Sequence, residues 1–111
     1  MAKAKATSTT KSAKAKTDAA RRLKQAQQAA ILLKQVSDPT RLHILLVLAE
    51  GEKHAGGICK ALKQRQPATS HHLALLRHGG IIAPRRQGKN NFYALTEAGE
   101  QLASIVKDLV G

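Results

Sequence analysis

Gln66-Pro67-Ala68-Thr69-Ser70-His71-His72-Leu73-Ala74-Leu75-Leu76-Arg77-His78, followed at once by Gly79-Gly80, is the stretch on which the fold turns. Pro67 stands in the first turn, where a missing N–H is tolerated, and the glycine pair closes the run, so the pattern predicts a helix from about Gln66 to His78. Thr69, Leu73 and Leu76 recur at i, i+4 and i+7 and face inward. Pro67, Ala68, Ser70, His71, Ala74 and Arg77 then fall on the outer faces. His72 follows Thr69 by one helical step and is read as half-buried and structural, whereas His71 is read as outward.

The flanks agree with that helix. Upstream, a helix of about His54 to Lys63 carries Ile58 and Leu62 inward, and a short turn at Gln64-Arg65 joins it to the next. Downstream the period changes. Ile81 to Arg86 and Asn91 to Leu95 are short extended runs around Gln87-Gly88-Lys89-Asn90, a hairpin signal with Gly and Asn available for positive φ. Farther upstream, Asp38-Pro39-Thr40 breaks and restarts the chain, with Asp38 as N-cap and Pro39 at the first helical position. Leu42, Ile44, Leu45, Val47, Leu48 and Ala49 make that helix apolar nearly all round, hence central, and Gly51 stops it. Before it, a helix begins near Asp18 with a narrow stripe of Leu23, Ala26, Ala30, Leu33 and Val36. Thr96 caps a last helix with the stripe Ala98, Leu102, Ile105, Val106 and Leu109. The order α-α-α-α-β-β-α, mostly α with a small β-hairpin wing, is that of a winged helix-turn-helix.

With 111 residues there is room for one small domain and a tail. The 19 Lys and Arg against 7 acids leave a net +12, which points to a polyanionic partner, most commonly nucleic acid. No apolar run approaches the roughly 20 residues needed to cross a bilayer, and a lone Cys59 cannot form an internal disulfide, which fits a reducing, cytoplasmic setting. The charge is concentrated in residues 1–36, where nine cations face Asp18 alone. Residues 1–17 offer nothing large and apolar after Met1, so they are expected to be a disordered basic tail ahead of a domain at 18–111. Without an apolar h-region or the Arg-rich amphipathic pattern of a transit peptide, the tail reads as a solvated segment or as an arm that sweeps along DNA, and the two are compatible.

Three motifs in register carry a family resemblance: Ser37-Asp38-Pro39-Thr40-Arg41-Leu42-His43-Ile44-Leu45, Gln66 to Arg77, and Gly88-Lys89-Asn90-Asn91-Phe92-Tyr93. From about Leu32 to Tyr93 the chain resembles the ArsR/SmtB type of bacterial transcriptional repressor. That resemblance implies a homodimer that binds a palindromic operator in double-stranded DNA and releases it when a metal ion or other small inducer binds. In such a protein Gln66 can pair bidentately with adenine, small Ala68 allows close approach to a thymine methyl, Pro67 lies beside them on the DNA-facing side, and Ser70 and His71 offer donors. Ser70 could instead bond its own helix backbone. Arg77 shares the outer face that would meet the major groove, and the wing residues Arg85, Arg86, Lys89 and Asn90 are expected on phosphates or in the minor groove, although a basic hairpin can also serve only to keep a sheet edge solvated. Arg41 could brace the fold or reach a phosphate, and sequence leaves that open.

For an inducer the resemblance implies less. The three thiolate positions of the arsenic-sensing branch fall here on His54, Gly56 and Cys59, a poor soft-metal set, and the last helix has acids but no His for a zinc site. No metal site and no cofactor are expected; the inducer is unidentified. The stripes on helices 18–36 and 96–110 are expected to pair two copies, setting the recognition helices about 34 Å apart, one turn of B-DNA. The alternative is a nucleoid-associated protein that binds DNA through its basic tail with little regard to sequence. Catalysis is not expected: no Cys–His or Ser–His–acid set, phosphate loop or paired acids occurs at a recognised spacing.

Overall fold

A computed structural model describes residues 12–111. The elements are α1 (Ser12–Gln35), α2 (Pro39–Leu48), β1 (Lys53–His54), α3 (Ala55–Leu62), α4 (Gln66–His78), β2 (Ile82–Gln87), β3 (Asn90–Leu95) and α5 (Glu97–Val110). They fall into two units, one ending at Ile31 and one spanning Leu32–Gly111.

In the first unit the helix starts earlier than the expected Asp18. Ser12 to Thr17 are already helical, because Ala and Lys are strong helix formers and need no burial to hold the conformation. Arg21 donates to Asp18 at 2.7 Å on the same face. Residues 1–11, the rest of the expected tail, lie outside the described residues.

The second unit is built around α2. Asp38 caps it by accepting from the Arg41 N–H at 3.0 Å, and Pro39 opens the first turn. Ile44, Leu45 and Leu48 then meet Ile58 and Leu62 of α3, Leu73 and Leu76 of α4, and Leu102 and Ala103 of α5, with Val36, Ile81 and Ile82 completing the core. The expected His54–Lys63 helix is shorter at both ends. His54 is its N-cap, its Nδ1 accepting from Gly57 N at 3.1 Å, and Lys63 is its C-cap in the left-handed conformation. Lys53 and His54 also form a strand that was not anticipated, pairing antiparallel with Tyr93 and Phe92, so the wing is a three-stranded sheet in the order β1-β3-β2.

The wing turn is tight. Gln87 pairs with Asn90, and the φ of +63° at Gly88 supplies the bend, Asn90 remaining in the strand. Thr96 caps α5 through Gly99 N at 3.2 Å, and its own N–H reaches the Ile81 carbonyl at 3.0 Å. Gly99 lies so close to that carbonyl that a Cβ there has no room. None of the described helices is long and apolar enough to cross a membrane.

Candidate nucleic-acid interface

Helix α4 presents one buried row and a broad exposed surface. Thr69, Leu73 and Leu76 are buried, while Gln66, Pro67, Ala68, Ser70, His71, Ala74 and Arg77 are exposed. Burial of the i, i+4, i+7 row against α2 and α3 fixes the helix by its inner side and leaves the Ser70–His71 flank open to solvent.

A cleft opens between α4 and the wing. Gln66, Ser70, Ala74 and Arg77 line it on the helix side and Lys89, Asn90, Asn91 and Tyr93 on the wing side, with His54, Ala55 and Gly56 completing it. Arg77 and Lys89 bring two cations into the cleft, and no acid lines it. Five of the anticipated residues, Gln66, Ser70, Arg77, Lys89 and Asn90, are thus brought together, and Asn91 and Tyr93 join them. The alternation Asn91, Tyr93 along β3 is the signal that places both on one face. Pro67, Ala68 and His71 are exposed on α4 outside the cleft lining.

The two wing arginines part company. Arg86 is paired in register with Asn91 and so shares the cleft-side face, its Nε donating to the Gly88 carbonyl at 3.2 Å. Arg85 is paired with Phe92, on the opposite face. Its guanidinium lies 5.8 Å from the Phe92 ring centroid and forms an ion pair with Glu52, and the Phe92 ring meets His54 edge-on at 5.6 Å. Arg85 therefore binds the wing to the segment ahead of α3 and is turned away from the cleft, contrary to its expected grouping with the other basic wing residues. The hydrogen bond from Arg85 holds the Glu52 carboxyl below the usual carboxylate range, and Glu52 in turn raises Arg85. Glu52 had no local signal: its partner is 33 positions away.

Arg41, whose role sequence left open, braces the fold. Its Nε donates to the Gln35 carbonyl at 2.7 Å, and its guanidinium lies 3.3 Å from Nδ1 of His72. His72 is half-buried as anticipated, with Asp38 Oδ2 3.9 Å from the same nitrogen. The N–H of Arg41 and the nearby positive charges hold the Asp38 carboxyl below its ordinary value. Among the candidate sensor positions, His54 spends Nδ1 on capping α3, Gly56 has no side chain to offer, and Cys59 is a partly exposed free thiol. Among the described residues no three His, Cys, Asp or Glu side chains gather into a metal-sized group.

The family described as "Bacterial regulatory protein, arsR family" matches residues 38–83, from the α2 cap through the start of the wing. Over 86 residues the chain is 43% identical to the biofilm growth-associated repressor of Agrobacterium fabrum, covering 78% of this chain and 72% of that protein. The crystal structure of the transcriptional repressor BigR from Xylella fastidiosa is similar with a TM-score of 0.75 at 37% identity, over 82% of this chain and 94% of that one. The homodimeric winged helix-turn-helix DNA-binding domain Mb0332 from Mycobacterium bovis gives a TM-score of 0.71 at 29% identity, over 80% and 83% of the two chains.

Proposed function

The chain belongs to the arsR family of bacterial regulatory proteins, and from that premise we propose that it works as a homodimeric repressor whose two α4 helices read an inverted-repeat operator. It is a DNA-binding transcriptional regulator and not an enzyme. The observation that carries the proposal is the cleft in which Gln66, Ser70 and Arg77 of α4 face Lys89 and Asn90 of the wing with no acid between them.

In this arrangement α4 enters the major groove. Gln66, Pro67, Ala68, Ser70 and His71 occupy its first two turns, the part of a recognition helix that meets base edges. Gln66 pairs with adenine, Ala68 and Pro67 lie against a thymine methyl, and Ser70 and His71 donate to bases or nearby phosphates. Arg77, Lys89, Asn90 and the cleft-side Arg86 hold the sugar–phosphate backbone, while Arg85 acts indirectly by anchoring the wing. Two copies pair through the exposed apolar residues that α1 and α5 leave over, among them Leu33 at 51%, Ile105 at 55% and Leu109 at 78% exposed. The homodimeric relative from Mycobacterium bovis supports that assembly. The protein acts in the cytoplasm, on the nucleoid.

Selection of bound sequences from a random DNA pool at moderate salt, with the mass of the free protein measured by sedimentation, tests the proposal. An enriched inverted repeat, bound about 10³-fold or more above bulk DNA by a protein of dimer mass, is the expected result. A pool without consensus, bound with a steep salt dependence alone, would instead favour the sequence-blind reading, for which the exposed cations Lys14, Lys16, Arg21, Arg22 and Lys24 of α1 are sufficient.

A further inference from the structure

We propose that Arg41 is a positioning residue for operator binding: it ties the last turn of α1 to the middle of α4, and so sets the spacing at which two half-sites can be read. This rests on the dimeric reading above. The carbonyl of Gln35 belongs to the end of α1, where carbonyls have no helical partner, and Arg41 Nε satisfies it at 2.7 Å. The same guanidinium lies 3.3 Å from Nδ1 of His72, at the centre of α4, and because arginine can only donate, this is a hydrogen bond in the tautomer whose Nδ1 accepts. The Arg41 backbone is itself pinned by Asp38 at 3.0 Å.

A second contact ties the same helix end to the far end of α4. The side chain of Gln35 lies against Gly79, close enough that a Cβ there would stand 2.7 Å from two of its carbons. The last turn of α1 thus touches α4 at two points, through Arg41 at its middle and through Gln35 at its C-terminal end. Neither rotation nor sliding of α4 against that turn leaves both intact. In a dimer joined through Leu33 of that turn and the exposed apolar residues of α5, these contacts tie each recognition helix to the surface that the second copy meets. One base pair of altered spacing moves a half-site by about 3.4 Å and about 34° around the axis, more than such a link tolerates. Lysine cannot replace the guanidinium, because a single ammonium on a flexible stem does not serve both the carbonyl and the imidazole in fixed geometry.

The test uses the full-length protein, with the selected inverted repeat and versions carrying one base pair more or fewer between half-sites. Wild type and His72→Asn, whose side-chain oxygen takes the acceptor place of Nδ1, are expected to prefer the selected spacing by about tenfold or more. Arg41→Lys and His72→Leu are expected to bind that operator about tenfold less tightly and to distinguish the spacings by under about threefold, while keeping dimer mass and affinity for an isolated half-site. If Arg41→Lys fails to fold, Gly79→Ala, which displaces Gln35 from the other side, is expected to blunt the spacing preference in the same way. Loss of affinity equal at all spacings, or spacing preference unchanged in these variants, overturns the proposal. A wild-type protein without dimer mass or operator preference would instead overturn the repressor reading on which it rests.

Discussion

Gln66 and His71 stand exposed in the first two turns of α4, and in the proposed complex they are the side chains closest to base edges. Gln66→Ala or His71→Ala is expected to cost about 1–3 kcal/mol at the operator and to relax specificity there, with affinity for bulk DNA unchanged in a competition titration. Asp38 makes a different prediction, on stability. Its carboxyl titrates below the ordinary value of 3.8 because it accepts from the Arg41 N–H and faces positive charge. A lowered native pKa contributes stability that is complete above the unfolded value and is lost as pH falls through the native one. Melting curves should therefore show Asp38→Ala less stable than wild type at neutral pH, with the gap closing below about pH 4. At this scale the sequence was legible wherever the helical period decided the outcome. The half-burial of His72 followed from its one-step distance to Thr69, and the Asp38 cap from the proline beside it. Arg41 and Arg85 were not legible. Their partners, His72 and Glu52, lie 31 and 33 positions away, and no local pattern encodes a contact over that distance.

Among the elements, the turn between α3 and α4 carries the one left-handed residue other than glycine in the described chain, Lys63 with φ 56° and ψ 43°. Gln64 N–H bonds back to the Cys59 carbonyl at 3.1 Å, so the helix ends in a Schellman-type cap, where glycine is the usual occupant. Lys63→Gly is expected to stabilise the protein by about 1 kcal/mol, seen as a raised Tm, with Lys63→Ala giving no such gain. The other caps could be read in sequence because a cap is a local arrangement: Asp38, Thr96 and the Gly79 end of α4 fall where expected. β1 could not. Two residues, Lys53 and His54, are strand only because β3 lies beside them. The start of α1 is the converse case, a helix carried by alanine and lysine propensity with no buried face to mark it. Its cations, with those of residues 1–11, give the second prediction at this scale. Removal of residues 2–16 should weaken binding to all DNA alike, leaving the preferred sequence unchanged. The slope of log affinity against log salt should flatten by about 0.9 for each phosphate that is no longer neutralised.

For the molecule as a whole, the proposed function divides among three surfaces: a cleft between helix and wing with cations and no acid, apolar residues left exposed on α1 and α5, and a basic helix ahead of Leu32. The net +12 was visible from composition, and it explains attraction to DNA without explaining where the duplex sits. In the proposed complex that position follows from the buried row of α4, which turns the helix's other side outward next to Lys89 and Asn90. Methylation protection on the selected operator examines that placement directly, since guanine N7 lies in the major groove and adenine N3 in the minor. With the protein bound, guanine N7 should be shielded in two major-groove windows centred about 10 base pairs apart, related by the two-fold axis of the inverted repeat. Guanine N7 left reactive throughout a saturated operator would contradict the placement of α4 in the major groove.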